Sequence, residues 1–173
     1  LGLDINGIES MATEIITDGI VYIAYGNGRQ DRFIWDGEGY DPNPGTFSTL
    51  VKNGDGSFDL TEKDQSAYHF DSSGRLTTVA DRNGNTSGLA YSSGLLSSVT
   101  GPAGRSLTFA YNGDGRLSQL TDPAGRTVQF SYNASGELTT VTGVRGYDTT
   151  MTYDANHRLL TITDANSCSE TFA

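Results

Sequence analysis

The sequence predicts an all-β chain built of tandem β-hairpins, with no significant helix. Three observations carry that prediction. Tyrosines recur at Tyr68, Tyr91, Tyr111, Tyr132 and Tyr153, in steps of 23, 20, 21 and 21 residues, and a fixed period of this size marks a repeat architecture. Turn-forming clusters fall twice in each period, as in Asn112-Gly113-Asp114-Gly115 and Asp122-Pro123-Ala124-Gly125. The segments between turns run to about six residues and several alternate apolar with polar side chains, the two-residue period of a half-buried strand.

Taken in order, residues 1–46 read as a β capping segment, because repeat arrays need an atypical unit at their ends. Two β-branched runs, 13–17 and 20–25, flank Asp18-Gly19, a strong hairpin signal. Gly26-Asn27-Gly28 then turns the chain into a strand ending at Trp35, the single tryptophan, which is expected to be half-buried. Residues 36–45 hold two prolines and three acids with no apolar period, and are expected to form one long loop. Residues 47–67 form a lead-in hairpin around Asn53-Gly54-Asp55-Gly56. The five copies follow as 68–90, 91–110, 111–131, 132–152 and 153–173.

Within a copy, each residue type has a turn or strand task. Aspartate at Asp81, Asp122 or Asp164 opens a turn by accepting hydrogen bonds from backbone N–H groups ahead of it. Glycine at Gly104 and Gly125 closes the turn, where positive φ carries no Cβ penalty. Phe130 alternates with Gln129 and Ser131, Phe109 keeps the same two-residue period with Leu107 and Tyr111, and both belong on the inner face of their strands. The other strand reads Leu-x-x-Val/Leu/Ile, as in Leu117/Leu120 and Leu138/Val141. That spacing of three breaks strict alternation, and it predicts either a strand buried on both faces or a bulge. A single hairpin is marginal in water, so the copies must share a core, with the tyrosines stacking between neighbouring hairpins.

The motif Tyr-(Asp/Asn)-x-x-Gly-Arg-Leu-x-x-(Val/Leu)-x-Asp-Pro-x-Gly-Arg-x-x-x-(Phe/Tyr), closest over residues 111–132, resembles the YD repeat of RHS-repeat proteins. The resemblance covers roughly residues 45–173, and the segment 49–61 is similar to the stretch that precedes the first repeat in that family. It implies an elongated, twisted antiparallel β-strip wound as an open spiral, which closes into a shell in long members and often encloses a toxic domain. It also implies an extracellular or cell-surface location. Five copies are too few to close a cavity. The last copy is degenerate, with His157 in place of the turn glycine and neither Pro nor Gly in Asp164-Ala165-Asn166-Ser167.

Composition limits the alternatives. A net charge of −10, from 11 basic and 21 acidic residues, argues against nucleic acid, which needs a basic footprint. No run approaches a membrane span, so no membrane insertion is expected. The single Cys168 excludes an internal disulfide framework. The chain opens on Leu1 without a signal-peptide pattern, which predicts an excised or processed piece of a longer protein. His69 and His157 are the only histidines and no nucleophile elbow occurs, so neither catalytic residues nor an enzyme activity is expected. Zinc-type clusters and complete calcium loops are absent from the sequence, and no cofactor or metal is expected. The functional expectation is a structural repeat module whose partners are neighbouring repeats of a parent chain. Two others stand beside it: a subunit adding strand edge to strand edge into a filament with further copies of itself, and a module binding glycans or a receptor through exposed aromatics.

Overall fold

The computed structural model describes the backbone of residues 12–16 and the whole of residues 19–172. Among these residues there are seventeen strands and no helix. Asp18, assigned to the first turn, lies outside the described residues. The chain divides into two compact units, one of residues 1–90 with 100–104, the other of residues 91–99 with 105–173.

The first unit contains β1 (Ala12–Ile16), β2 (Ile20–Ala24), β3 (Gln30–Trp35), β4 (Tyr40–Pro42), β5 (Thr49–Lys52), β6 (Phe58–Thr61), β7 (Ala67–Phe70), β8 (Leu76–Ala80) and most of β9 (Thr86–Ser92). Each strand is antiparallel to the next in the chain, from Ile16↔Ile20 at the first hairpin to Val79↔Ser87 at the last. Residues 36–45 are not one loop. They contain β4, which pairs with β3 through Trp35↔Tyr40 and with β5 through Tyr40↔Leu50. The aromatic pair across β3 and β4 supplies the packing that turn-rich composition concealed.

This unit is curled. Four strand steps separate β2 from β6, about 19 Å in a flat sheet. Yet the Tyr25 hydroxyl, just past β2, lies 2.6 Å from Glu62, just past β6. Only a sheet rolled onto its own apolar face brings these together. The roll encloses Val21, Ile23, Phe33, Phe58, Leu60, Phe70 and Leu76, all 0 % exposed. At roughly 1.5–3 kcal/mol for each large apolar side chain removed from water, these seven dominate the stability of the unit.

The second unit contains most of β10 (Leu95–Thr100), β11 (Ser106–Tyr111), β12 (Leu117–Thr121), β13 (Thr127–Tyr132), β14 (Leu138–Thr142), β15 (Asp148–Tyr153), β16 (Leu159–Thr163) and β17 (Ser169–Thr171). From β11 to β17 each strand again pairs antiparallel with its chain neighbour, and β10 is hydrogen-bonded to β11. Phe109, Leu120 and Val128 line up across three strands, as do Phe130, Val141 and Thr149. These side chains are half-buried, and the residues between them on β11, β13 and β15 are exposed.

The Leu-x-x-Val spacing is a bulge. Tyr111 pairs with Leu117 and Ala110 with Gln119, so Ser118 is extra. The same slip occurs at Ser131/Tyr132 and Thr152/Tyr153 in this unit and at His69/Phe70 in the first. The inserted residue returns both apolar side chains of the segment to one face.

Candidate functional site

The recurring residues are best read first, because any function of the repeat must be built from them. In the second unit three tyrosine hydroxyls do the same thing. Tyr111 donates to the carbonyl of Leu96, Tyr132 to that of Leu117 and Tyr153 to that of Leu138, at 2.8–2.9 Å and each fifteen residues back. Each tyrosine thus pins the start of its own hairpin to the preceding one. In the first unit the equivalent register position is filled by Phe70, which pairs with Leu76 as Tyr111 pairs with Leu117. Tyr68 sits two residues earlier, opposite Val79. Tyr91 stands before Ser93 and Gly94, both of positive φ, the pair a type I′ turn requires.

The turn acids form a second series. Asp122 Oδ1 accepts from the N–H groups of Ala124 and Arg126 while Oδ2 accepts from Arg126 Nε. Asp81 does so with Asn83 and Asn85, and Asp154 with Asn156 and Arg158. Asp164 accepts from the N–H groups of Asn166 and Cys168. The side-chain bond from Arg126 holds the Asp122 carboxyl below its ordinary value, and that from Asn85 does the same for Asp81. Gly104 and Gly125 have φ of 72° and 79°, as the closing position of these turns demands.

The histidines are also in structural pairs. His69 Nδ1 lies 2.6 Å from Asp59, and His157 Nδ1 lies 2.8 Å from Glu137 in the preceding copy's turn. Among the described residues, no group of three or more His, Cys, Asp or Glu side chains converges as a metal site requires.

One cluster has no counterpart in the repeats. In the first unit a cleft of about 480 Å³ is lined by Arg29, Asp31, Phe47, Ser48, Glu62 and Lys63, among others. Asp31 is 5 % exposed and Ser48 2 %. Arg29 ion-pairs with Asp31, the Tyr25 hydroxyl donates to Glu62 at 2.6 Å, and the Ser48 hydroxyl donates to Glu62 at 2.7 Å. Burial, reinforced by the bond to Glu62, pushes the Tyr25 hydroxyl far up, and the bond to Asp31 raises Arg29. Every charge in the network has a partner, which is what burial of charges demands. Its members come from β2–β3, the loop before β5 and the turn after β6, so it fastens the roll. The periodicity pointed away from it, because Tyr25, Arg29, Asp31, Ser48 and Glu62 lie scattered through a non-repeating segment and none of them recurs.

A family profile for the RHS repeat matches residues 70–104, 91–127 and 132–167, more than half of the chain. The chain belongs to the RHS-repeat family. The tyrosine pins and capped turns hold neighbouring hairpins together within the matched segments. No curated protein sequence matches. Among solved structures the chain is similar to the TcdB2-TccC3-Cdc42 crystal structure, at 14 % identity and a TM-score of 0.48, over 88 % of this chain and 11 % of that one. It is likewise similar to TcdB2-TccC3 without its hypervariable C-terminal region, at 14 % identity and a TM-score of 0.47 over the same shares. The chain therefore spans about a tenth of those chains.

Proposed function

We propose that the chain is a scaffolding segment of a larger secreted or cell-surface RHS-type protein, with no turnover of its own. The observation that carries this reading is the fate of the repeat tyrosines. A residue that recurs for binding would leave its polar group turned outward. In three successive copies that group is instead bonded to a backbone carbonyl of the neighbouring hairpin. The recurring acids are likewise used by their own turns. Membership of the RHS-repeat family supports the same role.

A scaffold is defined by the equivalence of its copies, and that is testable in the parent protein. Residues 132–152 are replaced by a second copy of residues 111–131, which is the same length. The expected result is retained folding by circular dichroism and retained activity of the parent protein. Normal folding with the parent activity lost would overturn the reading, because it would place a unique function within residues 132–152. Accessibility of the chain to added protease on intact producing cells tests the location: complete protection would refute surface exposure.

A further inference from the structure

The first unit carries a second recess, independent of the scaffold role, on the side of the Trp35–Tyr40 pair. It measures about 390 Å³ and is lined by Gly19, Trp35, Tyr40, Lys52, Asn53 and Gly54, at the small end of ligand pockets. Its floor is aromatic and fixed. Trp35 and Tyr40 lie 5.2 Å apart between ring centroids, and Tyr40 meets the fully buried Phe58 edge-on at 6.0 Å. The Trp35 backbone is held from the other side by Gly19: its main-chain N–H donates to the Gly19 carbonyl at 2.8 Å, and a Cβ on Gly19 would press on Trp35 Cβ at 3.2 Å. Despite this anchoring Trp35 stays 45 % exposed. A half-open indole packed on one side against Tyr40 is a stacking surface with few side-chain rotations left to freeze on binding.

The rim determines what can stack there. In a chain of 21 acids and 11 bases, the described lining holds one lysine and no carboxylate. Lys52 Nζ stands 5.7 Å from the Phe58 ring centroid, beside the platform. Among the lining side chains the Lys52 ammonium and the Trp35 indole N–H can only donate, the Tyr40 hydroxyl can donate or accept, and the Asn53 amide, whose N–H groups go to Ser57 and Asp59, offers its oxygen as an acceptor. The matching occupant has a flat apolar face, several acceptors and a negative charge. A cation is opposed by Lys52, and a proline-rich segment offers the flat face but no anion. We infer that this recess binds a pyranose ring carrying a carboxylate, of the uronic acid class, with the ring on Trp35 and the carboxylate on Lys52.

Trp35 is the only tryptophan, so its emission reports this site alone. The full chain is titrated with a hyaluronan tetrasaccharide, with neutral cellotetraose and with a proline decapeptide. The expected result is a saturable change in emission with the uronate, and binding about tenfold weaker for the neutral sugar, the share of one charge-assisted contact. Lys52→Ala, at an exposed position, should erase that preference without lowering the melting temperature. Trp35→Phe, followed by calorimetry, should weaken both sugars. The inference is overturned by no saturable response to the uronate, by an unchanged preference in Lys52→Ala, or by the decapeptide binding more tightly than the uronate. None of these results bears on the copy-exchange test of the scaffold.

Discussion

Ser118 is the residue inserted by its bulge, and its hydroxyl is not idle. It donates to the carbonyl of Ala110, opposite the bulge, at 3.1 Å. Thr139 donates to Ser131 and Thr77 to His69 in the same way. A bulge interrupts the ladder, and a hydroxyl at the inserted position gives the facing carbonyl a further donor. The fifth copy has Leu160 there, 38 % exposed, between Leu159 and Thr161 in the same register slip. It therefore forgoes the bond and shows an apolar side chain to water. Leu160→Thr is expected to stabilise the protein by about 0.5–1 kcal/mol, the net worth of one such bond. Thermal melts check this, and an unchanged or lower midpoint would show that the hydroxyls at 77, 118 and 139 follow the bulge without supporting it.

At the scale of the element, the turns are where the hairpins are sensitive to pH. The carboxyls of Asp81, Asp122 and Asp154 all lie below the ordinary value of 3.8. For Asp81 and Asp122 the chief cause is a side-chain bond from the residue four ahead, and for Asp154 it is the Arg158 backbone N–H. A folded-state value below the unfolded one contributes stability that is complete above the unfolded value and is lost as pH falls through the folded one. The melting temperature should therefore be level down to pH of about 4 and drop below it. Asn112 caps its own turn with the same backbone bonds, from Asp114 and Arg116. Hence the triple variant Asp81→Asn, Asp122→Asn, Asp154→Asn should stay folded at neutral pH and show a shallower acid decline. An equally steep decline in the triple variant would assign the acid sensitivity to other carboxylates, such as Glu137 with His157. These turns were legible in the sequence because a turn is local: Asp, Pro and Gly fix it within five residues. The bulge was legible only as an alternative, since spacing alone does not separate it from burial on both faces. β4 was missed because its pairing with Leu50 and Trp35 is a tertiary fact that two prolines disguised.

For the molecule as a whole, the period revealed the hairpins but not how deeply each is buried. Phe109 and Phe130 read as core from their alternation, and they do face the apolar side of β11 and β13, yet they are only half-buried. Phe33, Phe58 and Phe70 are fully buried. The difference lies in what covers the sheet. In the first unit the Tyr25–Glu62 and Ser48–Glu62 bonds hold a roll that covers its own face, and those bonds join non-repeating residues up to 37 positions apart, beyond the reach of pattern. Within the second unit, among the described residues, Val99 alone falls into the buried apolar class. Repeat arrays gain stability copy by copy from neighbours, and segments with less buried apolar surface open at lower free energy. Amide hydrogen exchange on the isolated chain should therefore be uneven. The slowest amides are expected in β2, β3, β6 and β7, with exchange on β15 and β16 faster by at least about tenfold, corresponding to an opening free energy roughly 1.4 kcal/mol lower. Equal protection in β6 and β15 would mean that the two units open as one cooperative body, and that full burial in the roll adds nothing to local stability beyond what half-burial and the tyrosine pins supply.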